Sequence, residues 1–224
     1  MLVISHRGYH VDAAENTIEA FQAALSIGVD GIETDVCLTA DGVPILFHNR
    51  VSEDGREVSS ISKAALEDAV GYPIPTLDDL EQLIVESGPR VTWDLEVKQP
   101  DALDATLSLV NRLRDRARFM ITSFWHPVVF RAAIESDVDC GLLVCHYPLP
   151  SPSRARWLGF GPEIGTIIWN FERIDATLIS DSARAGVRNF VYGAITPQDH
   201  AKLISWGADG VITDHPEYVL SRSS

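Results

Sequence analysis

Basic side chains are in short supply in this 224-residue chain: 18 Lys and Arg stand against 32 Asp and Glu, a formal net charge of −14 at pH 7. A field of that sign repels polyanions, which speaks against nucleic acid and against stable association with an anionic membrane surface. It leaves room for an anionic substrate, because a bound cation reverses the local field. Long apolar runs are missing too. None approaches the ~18 residues needed to cross a bilayer, and the opening segment does not read as a removable leader, since the first strand candidate already starts at Leu2. Cysteine is sparse and odd in number. Cys37, Cys140 and Cys145 each lie in or beside an apolar strand-like run without metal-ligand spacing, and read as buried thiols of a reducing compartment. The expected location is cytoplasmic. No Pro/Gly/Ser-rich linker interrupts the chain, so residues 1–224, 46% hydrophobic, are expected to form one domain with a sizeable core.

What is present is alternation. Short runs rich in β-branched residues fall at 2–5, 31–36, 43–47, 91–97, 119–122, 141–144, 166–169, 189–192 and 210–213. Amphipathic stretches at 17–27, 77–86, 102–114, 127–135, 176–185 and 198–206 read as helices. Such a succession argues for βα units around a mainly parallel sheet. Nine strands are one too many for a (β/α)₈ barrel, but the third follows the second after Asp41-Gly42, a hairpin-turn signal. A parallel crossover needs about a dozen residues or more, so this strand must return antiparallel. The expected fold class is therefore α/β, a (β/α)₈ TIM barrel with an additional antiparallel hairpin after strand 2; an open doubly wound sheet is the alternative. With Asp41 and Gly42 as the central turn residues, paired positions sum to about 83, which sets Asp35 opposite His48. The crossover from Asn49 to Arg90 is expected to carry a charged irregular stretch, Ser52 to Ser62, before its helix.

The strands end in chemistry. His6-Arg7-Gly8 follows the first, Glu33 and Asp35 sit on the second, His48 closes the hairpin, and Glu96 and Lys98 end the fourth. Residues two apart on a strand share a face, so Glu33 and Asp35 point together toward the barrel axis if Ile32 and Val36 face the helices. Buried carboxylates are costly unless paired or bound to a cation. Glu33, Asp35 and Glu96 with water make a hard oxygen site suited to Mg²⁺ or Ca²⁺, with Mn²⁺ also accommodated. Asp94 lies deeper and is expected to partner Lys98 or another buried basic group. His6 and His48, titrating near pH ~6.5 when unperturbed, are acid/base candidates; the other five histidines receive no chemistry. Arg7 offers a fork of donors for phosphate oxygens, and Gly8 a sharp turn beside a ligand. Glu15-Asn16-Thr17 reads mainly as a helix cap, with Glu15 able to reach back to orient Arg7 or a histidine. Thr213-Asp214-His215-Pro216 ends the last strand, where proline stops regular structure and a terminating role is at least as well supported as a catalytic one.

These pieces resemble the glycerophosphodiester phosphodiesterase family. The matching segments run in order over almost the whole chain: His6-Arg7-Gly8, Glu15-Asn16-Thr17, Gly31 to Val36, Thr39-Ala40-Asp41-Gly42, Phe47-His48, Pro75-Thr76-Leu77, Glu96-Val97-Lys98, Ser123-Phe124 and Gly210 to Asp214. The resemblance implies that Glu33, Asp35 and Glu96 bind a divalent cation, that His6 and His48 serve as general base and general acid, and that Arg7 and Lys98 hold the phosphate. It also implies a barrel whose extra hairpin bears the second histidine. Departures from the family pattern are Ala14 before Glu15, Asn49 in place of an aspartate after His48, a shortened insertion around residues 50–75, and Phe190 to Gly193 in place of a Trp-Thr-Val-Asn-like segment. The expected function is metal-dependent hydrolysis of a small glycerophosphodiester to glycerol phosphate and an alcohol. A lysophospholipase D-like activity and a non-catalytic phosphoester-binding barrel are the alternatives.

Overall fold

The computed structural model describes residues 1–147 and 164–220. Its centre is a ring of eight parallel strands: β1 (Leu2–His6), β2 (Gly31–Leu38), β4 (Thr92–Val97), β5 (Arg118–Ser123), β6 (Asp139–Val144), β7 (Thr166–Asn170), β8 (Arg188–Tyr192) and β9 (Gly210–Thr213). The ring closes because β1 pairs with both β2 and β9, with Ile4 beside Gly31 and Ser5 beside Thr213. The ninth strand, β3 (Pro44–Leu46), runs antiparallel against the end of β2. The (β/α)₈ barrel with an added hairpin is thus the observed fold, and the open sheet is excluded by the β1–β2 pairing.

Alternation along each strand divides the core. Ile32, Val36, Trp93, Leu95 and Val97 point outward and pack with Phe21, Leu80, Ile84 and Val110 of the helical layer. Ile4, Met120, Leu143, Ile168, Phe190 and Ile212 form a separate cluster that plugs the barrel interior. Two-sided burial is what lets these strands read as near-continuous apolar runs. The plug is tight at Gly210, where a Cβ would come within 2.2 Å of the Phe190 ring. Above this layer the inward positions turn polar, with Glu33, Asp35, Asp94, Glu96 and Thr122 all buried. A barrel that fills its lower part with hydrocarbon and its upper part with carboxylates has a bottom that holds and a top that reacts.

Two expectations about local structure are corrected. The hairpin register is one residue off: Val36 pairs with Leu46 and Cys37 with Ile45, so positions sum to 82, and Asp35 faces Phe47 rather than His48. The cause is the turn. Thr39 and Val43 close a three-residue loop in which Gly42 takes φ +74°, instead of the two-residue turn that Asp-Gly favours. His48 still returns to the same rim, one step beyond the pairing. In the crossover, residues 52–62 are irregular as expected apart from one 3₁₀ turn, but an additional, unexpected helix comes next. A helix, Lys63–Val70, follows the 3₁₀ turn Val58–Ser60. Ser62 caps its first turn and Gly71 ends it at φ +80°, a start and stop that are legible in the sequence. Only Leu66 of this helix is fully buried, which is why its apolar periodicity is faint. Among the described residues no helix is long and apolar enough to cross a membrane. Cys37 and Cys140 are buried as expected, but Cys145 is exposed, because it follows β6 at the open rim.

Candidate active site at the carboxyl ends of the strands

Directly after β1 the chain turns through two left-handed residues, Arg7 at φ +55° and Gly8 at φ +80°. A side chain at position 8 would meet the Ala20 backbone at 2.7 Å, so only glycine lets the loop lie against the helix Ile18–Ser26. The turn puts the Arg7 amide on Glu33 Oε2 at 3.1 Å and aims the guanidinium along the rim. There Nε sits 3.1 Å from Asp35 Oδ2 while Nη1 donates to Glu15 Oε2 at 2.9 Å. Glu15 therefore does orient Arg7. Thr17 caps the helix as expected, but Asn16 has another task. Fully buried and itself left-handed at φ +57°, it donates to Asp35 Oδ2 at 2.9 Å and accepts from the Asp35 amide and from Thr34 Oγ1. Two adjacent strained segments holding one carboxylate is a cost of order 1–3 kcal/mol per residue that a merely solvated strand end would not carry.

Glu33, Asp35 and Glu96 each place a ligand oxygen within 4.8 Å of the others. All three are buried, and Glu33 Oε1 has no hydrogen-bond partner. Lys98 lies against the same group, Nζ being 2.7 Å from Glu96 Oε1 and 3.0 Å from Asp35 Oδ1. Burial and the neighbouring charges on Asp35, Glu96 and Asp94 push Glu33 well above the ordinary carboxylate range. Glu96 is raised for the same reasons, burial first and Asp35 second. Burial works against Asp35 as well, but Lys98 and Arg7 outweigh it and hold this carboxyl low. An all-oxygen donor set with an orphaned buried oxygen fits a hard divalent cation. Asp94 does not join Lys98 as expected; the lysine reaches past it to the rim, and Asp94 Oδ1 instead accepts from Thr122 Oγ1 at 2.7 Å.

The two imidazoles open onto one cavity of about 300 Å³, whose walls include His6, Arg7, Glu33, His48, Glu96 and Lys98. Phe124, Leu143, Tyr192 and Ile212 supply its apolar side, with Phe124 and Tyr192 edge to face at 6.0 Å. His48 Nδ1 lies 3.0 Å from Asn49 Oδ1, so the amide that follows the histidine meets its ring. Burial lowers the His48 pKa, against the pull of Asp35. His6 Nδ1 lies 2.7 Å from Asp214 Oδ1, and Nε2 lies 3.9 Å from Glu33 Oε2. The same Asp214 oxygen is 3.2 Å from His10 Nε2. Asp214 thus does more than end a strand, and His10, set aside on sequence grounds, stands beside it. Its carboxyl is held far below its usual range: burial opposes ionisation, and the contacts with His10 and His6 overcome it. A larger open depression, about 700 Å³, lies at the opposite mouth, where Arg114, Arg118 and Arg188 alternate with Asp115, Asp137 and Asp139; its balanced charges include none of these groups.

Known proteins share the sequence pattern and the fold described above. The family model described as "Glycerophosphoryl diester phosphodiesterase family" matches residues 6–218. A glycerophosphodiester phosphodiesterase of Caldanaerobacter subterraneus subsp. tengcongensis is 27% identical over 98% of this chain and 96% of its own length. Among solved structures, an Oleispira antarctica phosphodiesterase in complex with its product sn-glycerol-3-phosphate superposes with a TM-score of 0.85 at 24% identity, covering 100% of this chain and 97% of the other. A glycerophosphodiester phosphodiesterase from Thermotoga maritima gives 0.81 at 21% identity, over 99% and 98%. With its family match running from the first histidine to beyond the last strand, the chain belongs to the glycerophosphoryl diester phosphodiesterase family and is an enzyme of that class.

Proposed function

We propose that this enzyme hydrolyses small glycerophosphodiesters to glycerol phosphate and an alcohol, with His6 and His48 as general base and general acid and Mg²⁺ or Ca²⁺ (or Mn²⁺) held by Glu33, Asp35 and Glu96. The observation that carries the reading is the convergence of two imidazoles, Arg7, Lys98, Glu33 and Glu96 on one cavity, with Asp35 buried in the same oxygen cluster. When bound, the dication neutralises phosphate charge and lowers the pKa of an attacking hydroxyl. Arg7 and Lys98 bind the non-bridging phosphate oxygens, Arg7 braced by Glu15. As the hydroxyl oxygen bonds to phosphorus, its proton passes to His6; as the P–O bond to the alcohol breaks, His48 protonates the departing oxygen. The attacker is the substrate's own glycerol hydroxyl or water. A cyclic phosphate trapped in single turnover identifies the first, and its absence the second.

The test is turnover by purified protein with each of the three ions. Glycerophosphoethanolamine should be cleaved. Failure with it and with activated nitrophenyl diesters would leave a phosphoester-binding barrel as the better description. One observation favours a second substrate. Phe124, Trp125, Tyr147, Ile195 and Val11, all on loops at the catalytic rim, are exposed apolar side chains, which suits an acyl chain lying across the mouth. A wide preference for a lysophospholipid over glycerophosphoethanolamine would make lysophospholipase D the principal activity.

A further inference from the structure

We propose that Asp214, steadied by His10, is the positioning residue for His6: it fixes the imidazole with its proton on Nδ1 and so leaves Nε2 as the nitrogen presented to substrate. This rests on the reading of His6 as general base. An ionised carboxylate is acceptor-only, so the ring nitrogen 2.7 Å from Asp214 Oδ1 must carry the hydrogen. In the neutral ring the lone pair then belongs to Nε2, the nitrogen that faces Glu33 across the cavity.

Asp214 alone would be a poor anchor. Its side chain is about half exposed, 49% in relative terms, and a solvated carboxylate rotates freely. Two features restrain it. His10 donates from Nε2 to the same Oδ1, and one oxygen has two lone pairs to receive both hydrogens. The backbone beneath is pinned as well: Thr213 Oγ1 accepts from the His215 amide at 3.0 Å and lies 2.8 Å from His200 Nε2, on the helix Pro197–Trp206. The turn that carries Asp214 is thereby tied to the helical layer. The hydrogen bond to Asp214 raises the His10 pKa against the opposing effect of burial, in keeping with an N–H of His10 directed at the carboxylate.

The experiment reads the tautomer directly and the rate separately. Long-range ¹H–¹⁵N correlation on the metal-free protein should show the neutral His6 ring protonated on Nδ1. Asp214→Ala should give a mixture of tautomers. With ion present it should lower kcat roughly 10- to 10³-fold with little change in KM, since a base that is mis-set loses most of its contribution. Asp214→Asn, which keeps the size, guards against a packing effect; both variants should melt with the parent. His10→Phe should lower kcat by a smaller factor, roughly 2- to 10-fold, and His10→Gln, which restores an N–H donor, should recover it. An Nε2-protonated His6 in the parent protein, or an unchanged tautomer and kcat in Asp214→Ala, would overturn the assignment. A silent His10→Phe would remove His10 from it. His6→Ala separates the two levels: full turnover without this imidazole would sink the general-base reading while leaving the tautomer result intact.

Discussion

Asp94→Asn puts the electrostatics of the barrel interior to a quantitative test. The Asp94 carboxyl is fully buried, Oδ1 accepts from Thr122, and Oδ2 has no hydrogen-bond partner. Burial, reinforced by Glu96 and Asp35 and only partly offset by the Thr122 bond, pushes its pKa up from 3.8 to about 8. The sign follows from proton counting. In the unfolded chain the group ionises near its ordinary value, so between about pH 4 and pH 8 the native state keeps a proton that the unfolded state has lost. The group's contribution is favourable at the acid end of that window and is lost as pH rises through it. About four pH units at 1.36 kcal/mol each set an upper bound of roughly 5–6 kcal/mol. Water entry and proton sharing with Glu33 and Glu96 leave about 2 kcal/mol as the expected part. Asparagine keeps the acceptor for Thr122 and cannot ionise. In chelator-treated protein, its stability advantage over the parent should grow by about 2 kcal/mol between about pH 5.5 and pH 8.5, roughly 4–8 °C in Tm for a chain of this size. A Tm difference that stays constant across that range would refute the argument and mean that Asp94 is ionised in the native state or hydrated.

Three further outcomes follow from the same geometry. Glu33→Gln removes one charge from the carboxylate cluster: calorimetry should show weakened Mg²⁺ or Ca²⁺ binding, while the metal-free melt rises slightly because like charges no longer crowd; unchanged affinity would take Glu33 out of the site. His48→Ala should cost roughly 10²–10⁴-fold on a natural diester and much less on a nitrophenyl ester, whose leaving group barely needs a proton; equal losses on both would point to an orienting role. Gly8→Ala must strain a left-handed residue and push against the Ala20 backbone. Its cost, about 1–3 kcal/mol by denaturant titration, should come with lower phosphate affinity as Arg7 shifts; a parental Cm and KM together would mean that the loop repacks freely.

The parallel strands of this fold are legible in the sequence because each is a run of four or more residues, apolar on one or both faces, between turn signals. Glu33, Asp35 and Glu96 are legible by alternation: outward Ile32, Val36, Leu95 and Val97 leave the carboxylates nowhere to point but inward. Other features escape by different routes. The hairpin slips one residue because Asp-Gly serves two turn types, and only the closed loop tells which. Lys63–Val70 lacks a strong apolar stripe, though its cap and terminal glycine could have exposed it. Asn16 looks like a cap because its neighbour is one. The pairing of Asp214 with His6 and His10 has no local signature, since the residues are more than 200 positions apart and meet only where the ring shuts.

That last separation bears on how the protein reaches its working state. His6 and Asp214 are 208 positions apart, at the ends of the first and last strands of the ring. Bringing the ends of so long a loop together costs about 5 kcal/mol of chain entropy, against roughly 1.5–3 kcal/mol for one charge-assisted hydrogen bond. The contact cannot draw the barrel shut; it forms because the β1–β9 ladder and the interior plug already have. A partly folded chain could therefore own all three carboxylates and the hairpin histidine while His6 still lacked its anchor. Recovery of full kcat during refolding should then trail the return of helical signal, making catalysis the reporter of the final seam.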